Sequence, residues 1–134
     1  MNGRRGFTLI EVMITMLIFS GTMAAFFGFY MATARLNESS RNLTQALNDA
    51  RVVLESIRNT AQSGGLTGGT GVTGVYVQGN NLATGFSLAS LQNEAIRATY
   101  ANPNADPLQV SLQVTWDEWR RTRSATLDTF VTRR

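Results

Sequence analysis

The residue types that most enzymes use for nucleophilic or metal chemistry are absent from this 134-residue chain. It contains no His and no Cys, and all 12 of its basic residues are Arg. A thiolate nucleophile, an imidazole base, a zinc site built from His or Cys, and a disulfide are therefore excluded. Asp117 and Glu118 are adjacent, so on a strand they would point to opposite faces rather than form a catalytic pair of carboxylates. We expect no enzymatic activity, no cofactor and no metal site.

Oxygen-bearing side chains at alternate positions suggest one possible cation site. Asn102, Asn104 and Asp106 are spaced like the first ligands of a calcium-binding loop. However, Pro107 occupies the position at which that loop needs Gly, and Gln113 occupies the position of its bidentate Glu. We therefore interpret the segment as a turn.

A second candidate site combines aromatic and basic residues near the C-terminus. Its members are Trp116, Trp119, Arg120, Arg121 and Arg123, and Arg133 and Arg134 end the chain. One hypothesis is contact with DNA, but five Arg without a basic stripe form a weak electrostatic footprint. We favour a solvated hairpin end, with Trp116 in the core and Arg123 paired with Asp117 or Glu118. Contact with acidic partner subunits or with lipid headgroups remains an open alternative.

The longest uncharged segment runs for 23 residues from Val12 to Ala34. As a helix it would cover about 35 Å, enough to cross a hydrocarbon core of about 30 Å. A buried core helix is disfavoured because so short a chain offers too little protein to surround it. A secretory signal peptide is disfavoured because the run is long and is followed by poor small-residue cleavage patterns. We predict a transmembrane helix.

A single carboxylate, Glu11, lies immediately before this run. Such a charge is costly in lipid, although the positive end of the helix dipole would stabilise it by some tenths of a kcal/mol. Phe7 lies one helical turn earlier on the same face. If the chain were cut after Gly6, Phe7 would carry a free α-amine as a counter-charge for Glu11.

Residues 6–12, GFTLIEV, follow the short basic leader MNGRRG and precede the apolar run. This arrangement resembles the class III signal of type IV pilins and type II secretion pseudopilins. The resemblance implies that a prepilin peptidase cleaves between Gly6 and Phe7 and N-methylates Phe7. It also implies that Glu11 neutralises the Phe7 amine of a neighbouring subunit during assembly.

Beyond the membrane the helix is predicted to continue as an amphipathic segment and to end at Gly64-Gly65. An a/d stripe too short for an independent coiled coil marks this segment, and it consists of Leu36, Leu43, Leu47, Ala50, Leu54, Ile57 and Ala61. Residues 66–74 are predicted to form a flexible Gly/Thr-rich loop, and Val75–Val77 a short strand. A short helix is expected over 88–96, with Ser87 or Ser90 as its N-cap.

The last part of the chain carries the clearest strand pattern. Apolar and polar residues alternate from Leu108 to Trp116, residues 117–121 are expected to turn, and residues 125–131 to return as a second strand. We predict an α+β fold, the pilin-like ladle, in which a long N-terminal helix packs on an antiparallel sheet of three or four strands. The predicted organisation is a cleaved leader (1–6), a transmembrane and filament-core helix (7–34), its amphipathic continuation (35–62) and a small α/β head (63–134).

The resemblance implies a structural subunit of a filament. The order of elements resembles V-type minor pilins and I-type minor pseudopilins, and a major pilin is disfavoured because the head has no Cys pair and residue 28 is Gly rather than a helix-kinking Pro. We predict a minor subunit of a type IV pilus, in the initiating or tip complex. The alternatives are a minor pseudopilin of a type II secretion system and, in another class, a single-span anchored module that binds DNA or another ligand.

The resemblance also implies partners and a location. The partners are other pilin or pseudopilin subunits through the N-terminal helix, the prepilin peptidase as processing enzyme, and the inner membrane. DNA is a disfavoured partner. The prepilin is expected in the bacterial inner membrane as a single-pass protein with its head outside the cytoplasm, and later in a periplasmic or cell-surface filament.

Overall fold

A computed structural model describes residues 8–88 and 91–132. Its elements are α1 (Leu9–Gly64), α2 (Val72–Val75), α3 (Ala83–Phe86), β1 (Ala95–Tyr100), β2 (Leu108–Glu118) and β3 (Arg121–Val131). The strands form one antiparallel sheet in the order β1-β2-β3. The predicted α+β fold, a long N-terminal helix packed on a small antiparallel sheet, is confirmed with three strands. The chain divides into two compact units, Met1–Glu38 and Ser39–Arg134, and α1 contributes to both.

Helix α1 is uninterrupted because its sequence contains no Pro, and it passes through Gly28 without a break. It ends at Gly64, as predicted. Gly65 follows with a φ of +84°, a left-handed conformation that glycine adopts without the steric cost of a Cβ. Gly65 therefore supplies the left-handed residue that follows the end of the helix.

One stripe of α1 in the Ser39–Arg134 unit is buried against the sheet. Its members are Ala46, Asp49, Ala50, Val53, Leu54, Ile57 and Ala61. The predicted stripe is correct from Ala50 onward, but it is wrong at Leu36 and Leu43, whose side chains are 70% and 43% exposed. Fully buried residues of the helix begin at Ala46, because before that point the side chains that contact the sheet are polar, as at Ser39 and Asn42.

The central strand β2 provides most of the sheet's contribution to the core. Its buried apolar side chains alternate along one face, as predicted, and are Leu108, Val110, Leu112, Val114 and Trp116. β3 returns antiparallel to it, with Leu112 opposite Leu127. Burying one face of each strand explains why the period-two pattern of residues 108–116 was a reliable signal.

The predicted strand at Val75–Val77 is wrong. Val75 closes the short helix α2, and both Val75 and Val77 are about half exposed. The buried residue is Tyr76, whose hydroxyl lies 2.7 Å from Ser56 Oγ and whose ring stacks on Phe86 with centroids 6.3 Å apart. A single buried aromatic, rather than a pair of valines, holds this segment on the core.

The Gly/Thr-rich segment 66–74, predicted to form a flexible loop, consists of bends and turns that lead into the short helix α2. Val72 is fully buried, and its N–H donates to the Gly65 carbonyl oxygen at 3.1 Å. At Gly74 a Cβ would collide with the Gly68 carbonyl oxygen, so the fold of this segment requires glycine there. The glycines allow a compact turn that carries α2 onto the core.

The predicted helix over residues 88–96 is wrong as well. Ser87 ends α3 in a left-handed conformation (φ 55°) instead of capping a new helix, and Ser90 lies outside the described residues. β1 begins at Ala95, with Ile96, Ala98 and Tyr100 buried on one face. Residues 95–100 form a strand because they pair with β2 and bury alternate side chains. The helical spacing that predicted a helix over 88–96 was the weaker of the two patterns.

The outer edge of β1 is covered by the chain segment that contains Asn81. The Leu82 N–H donates to the Ile96 carbonyl oxygen (2.8 Å), and Asn81 Oδ1 accepts from the Ile96 N–H (3.0 Å). Edge strands left open invite pairing with other chains. Here the Asn81 side chain and backbone hydrogen bonds from Leu82 and Gly79 cover this edge at Ile96 and Ala98.

Candidate functional site

The apolar run from Val12 to Ala34 lies wholly within α1 and exposes its large side chains on every side of the helix. Phe19, Phe26, Phe27 and Phe29, for example, are all more than 60% exposed. By length and composition α1 is the one helix of the described residues that is able to cross a membrane. So large an exposed apolar surface is not stable in water, because it far exceeds the patches that soluble monomers tolerate.

The Ser and Thr hydroxyl groups of this run are satisfied within the helix itself. Each donates to a backbone carbonyl oxygen three or four residues earlier: Thr15 to Val12 (2.9 Å), Ser20 to Leu17 (2.9 Å), Thr22 to Phe19 (2.8 Å) and Thr33 to Phe29 (2.9 Å). An unsatisfied hydroxyl would be costly in hydrocarbon. The polar residues of the run therefore present little obstacle to insertion in lipid.

Glu11 lies in the first turn of α1. The helix starts where the Thr8 carbonyl oxygen accepts from the N–H groups of Glu11 (3.1 Å) and Val12 (3.3 Å). Glu11 is exposed and is surrounded by exposed apolar side chains, including Ile10 and Met13. It is the only charged residue between positions 8 and 34, so its carboxylate is the one group in this surface that requires an opposite charge.

One signal at this end of the helix was missed in the sequence. The pattern Thr8-x-x-Glu11 is the signature of a capping box, which places a helix start at the following residue. The observed start at Leu9 agrees with it. Gly6 and Phe7, the predicted processing residues, lie outside the described residues, so the pairing of Glu11 with a Phe7 amine remains a prediction.

Asp117 and Glu118 have different environments at the end of β2, as predicted for neighbours on a strand. Asp117 accepts hydrogen bonds from Asn93 Nδ2 (2.8 Å) and Thr122 Oγ1 (2.9 Å), which lower the pKa of its carboxyl group. Glu118 points inward and is buried. The two carboxylates therefore do not form a common site.

Glu118 joins the hairpin to α1. It accepts from Ser39 Oγ (3.2 Å) and Asn42 Nδ2 (3.1 Å) on the helix, and it pairs with Arg123 Nε at 3.3 Å. The Glu118 side chain is 3% exposed whereas that of Arg123 is 57% exposed. The predicted pairing of Arg123 is confirmed for Glu118, and the contact with the helix was not foreseen.

The β2–β3 hairpin closes through a two-residue loop of Trp119 and Arg120. The last strand pair is Glu118 with Arg121, and both loop residues have positive φ, 53° and 65°. This is the type I′ pattern, for which Asn-Gly is the preferred sequence. A bulky residue in a left-handed conformation costs about 1–2 kcal/mol. Trp116 lies in the core, as predicted, while Trp119 is 57% exposed.

The segment that resembles a calcium-binding loop is a turn, as predicted. Asn102 Oδ1 accepts from the Asn104 N–H (3.1 Å), and the Asn102 carbonyl oxygen accepts from the Ala105 N–H (3.1 Å). These bonds use the side-chain and backbone oxygens of Asn102, the first of the three candidate ligands, to form the turn. Over residues 8–88 and 91–132 no group of three or more acidic side chains is placed to hold a metal ion.

The comparisons with known proteins bear on the N-terminal segment. Residues 1–25 match the family model described as the prokaryotic N-terminal methylation motif. No curated protein and no solved structure matches the chain. The matched residues contain the leader, Gly6, Phe7 and Glu11, and they run into the apolar part of α1. The chain therefore carries the class III signal typical of type IV pilins and pseudopilins, at the start of a helix that is long and apolar enough to cross a membrane.

Proposed function

We propose that this protein is a minor structural subunit of a type IV pilus, in its initiating or tip complex. The methylation motif implies processing by a prepilin peptidase and assembly with other pilin subunits. In our proposal the peptidase cleaves between Gly6 and Phe7 and methylates the new amine, and the head lies outside the cytoplasm. The observation that carries the proposal is an apolar helix exposed on all sides, with a single carboxylate near its start.

The proposed mechanism is exchange of lipid contacts for protein contacts. The helices leave the bilayer and pack side by side in the filament, driven by close side-chain packing. Gly21 and Gly28 lie seven residues apart, and a Cβ added at either would meet no atom within 4 Å beyond its chain neighbours and the adjacent backbone of its own helix. These two positions offer neighbouring helices room for close approach.

Glu11 would set the register of this packing. A carboxylate left unpaired among apolar helices costs on the order of several kcal/mol. Pairing with the Phe7 amine of a neighbouring subunit removes that cost in one register only. Misaligned subunits would bury an uncompensated charge, so the filament would select the aligned arrangement.

The test combines processing with incorporation. We expect mass spectrometry of the mature protein to find an N-terminal methylated Phe7, and Gly6→Leu to block cleavage. Glu11→Ala is expected to be cleaved and membrane-inserted but depleted from sheared filaments. Glu38→Ala, which removes an exposed acid of the same helix outside the apolar run, is the matched control and should enter filaments normally.

Three outcomes would contradict or redirect the proposal. The leader MNGRRG found still attached to the membrane-bound protein, with no other pilin-like chains co-purifying, would favour an anchored DNA- or ligand-binding module. Normal incorporation of Glu11→Ala would remove the register mechanism. Purification with a secretion assembly instead of a pilus would assign the chain as a minor pseudopilin.

A further inference from the structure

The tip of the β2–β3 hairpin lies at the end of the Ser39–Arg134 unit where that unit's part of α1 begins. Glu118, the residue before the loop, is bonded to Ser39 and Asn42 at the start of the Ser39–Arg134 unit. Ser39 lies only five positions after Ala34, the last residue of the uncharged run. Even a fully extended chain of that length spans no more than about 18 Å. The covalent chain therefore keeps the hairpin tip within reach of a membrane that α1 crosses.

The loop at this tip is not optimised for stability. Trp119 and Arg120 occupy two consecutive left-handed positions for which Asn and Gly are the favoured residues. Trp119 nevertheless exposes 57% of its surface. Strained backbone positions that display bulky side chains cluster at sites of binding, so the loop has the character of a contact surface rather than of a simple connection.

Positive charge is concentrated at this end of the Ser39–Arg134 unit. Residues 39–42, 91–94 and 116–123 lie at this end and contain four Arg and three acids, and all three acids accept hydrogen bonds from neighbouring groups. The remainder of the unit's described residues, 43–88, 95–115 and 124–132, contains three Arg and four acids. The end of the unit at which Ser39 lies is thus slightly basic and the rest is slightly acidic, which is a distribution that complements an anionic surface at that end.

We propose that the hairpin tip, consisting of Trp119, Arg120 and Arg121, binds the anionic phospholipid surface of the membrane in which α1 is anchored. Trp prefers the interfacial layer, where its ring is half apolar and its N–H finds polar partners. The Arg guanidinium groups bind headgroup phosphates through paired hydrogen bonds. DNA is a poorer match because the basic surface is small and has no extended stripe.

This contact would fix the orientation of the Ser39–Arg134 unit on the membrane before assembly. It depends on membrane anchoring of α1 and not on the pilus role proposed above. Extraction of the helix from the bilayer would also have to detach the tip. The tip would therefore add a lipid-dependent step to incorporation.

The experiment uses the full chain reconstituted into vesicles of phosphatidylcholine and phosphatidylglycerol whose acyl chains are brominated near the headgroup. Bromine quenches tryptophan fluorescence only on contact. The signal of Trp119 is the difference between the wild type and Trp119→Phe, since both retain the buried Trp116. We expect strong quenching in the wild type and loss of most of it in Trp119→Phe.

Charge and loop variants make the test specific. The double variant Arg120→Gln, Arg121→Gln should show less quenching than the wild type, and its quenching should depend less on salt. Quenching of the wild type should be reduced in the same way in vesicles that lack phosphatidylglycerol. Arg97→Gln, which removes an exposed Arg from β1, is the matched control and should change neither. Trp119→Asn with Arg120→Gly, which suits the turn, should lose the quenching without a fall in melting temperature.

Equal quenching in the wild type and Trp119→Phe would overturn the proposal, provided that alkaline extraction shows both proteins to be inserted. Failure of insertion itself would instead count against the anchored helix, so the two failures are distinguishable. Protection of Trp119 that arises only on addition of DNA, or of another pilin subunit, would also overturn the proposal and assign the tip to that partner.

Discussion

At the scale of single residues, Tyr100 shows how burial controls ionisation in this chain. It lies at the end of β1, is buried, and donates a hydrogen bond to the Tyr76 carbonyl oxygen at 2.7 Å. Burial, and secondarily the charge of Tyr76, raises the pKa of Tyr100 to about 12. An unfolded tyrosine ionises near pH 10, so the folded state holds this proton more tightly than the unfolded state does.

This difference predicts a loss of stability at high pH. The contribution of Tyr100 is fully present below pH 10 and is lost as the pH rises from about 10 through about 12, because the unfolded chain releases its proton first. The chain has no Lys, His or Cys, so tyrosines are the only side chains that ionise in this window. We expect the melting temperature of Tyr100→Phe to fall less steeply than that of the wild type between pH 10 and 12.

The readout is thermal unfolding of the two proteins followed by circular dichroism across this pH range. At neutral pH the variant should be destabilised by about 0.5–1.5 kcal/mol, since it lacks the hydrogen bond to Tyr76. Parallel pH dependence in the two proteins would contradict the assignment of the transition to Tyr100.

At the scale of elements, the buried Glu118 connects the β2–β3 hairpin to α1. Three donors converge on it, from Ser39, Asn42 and Arg123. The Arg is largely exposed, so the pair alone is worth little. The cost of losing Glu118 arises from the two helix side chains, which would be left partly buried without their acceptor.

Glu118→Ala is therefore expected to destabilise the fold by about 1–3 kcal/mol in chemical denaturation. Asp128→Ala, which removes an exposed acid from β3 of the same hairpin, is the control and should change stability by less than about 0.5 kcal/mol. Equal effects of the two substitutions would show that Glu118 does not connect the elements.

At the scale of the whole molecule, the chain consists of two compact units, and all buried core residues belong to the second. Residues 39–134 contain both the helix stripe and the sheet that covers it. The apolar run contributes no side chain to that core. The second unit should therefore hold its fold without the first.

We expect a chain shortened to residues 39–134 to be soluble and to unfold cooperatively without detergent. Ile57→Ala in this shortened chain should cost about 2–5 kcal/mol, because Ile57 is fully buried between helix and sheet. Val52→Ala, at a position 48% exposed on the same helix, is the matched control and should have little effect. A shortened chain without a cooperative transition would contradict the independence of the second unit.

Chemistry that is local in the sequence determined much of this protein. The methylation motif, the apolar run, the helix end at Gly64 and the alternation of β2 depend on residues close together in the chain, and each was predicted correctly or matched by the family comparison. The assignments that failed, at Val75–Val77 and at 88–96, lie where short segments have weak or conflicting periodicity.

Only the tertiary structure decided which of those weak signals prevailed. Residues 95–100 form a strand because β2 offers them a partner, and Tyr76 is buried because Ser56 and Thr60 of α1 lie beside its hydroxyl. Likewise, the contact of Glu118 with Ser39 joins residues 79 positions apart. Such contacts leave no periodic trace in the sequence, because their free energy depends on distant partners that only the folded chain brings together.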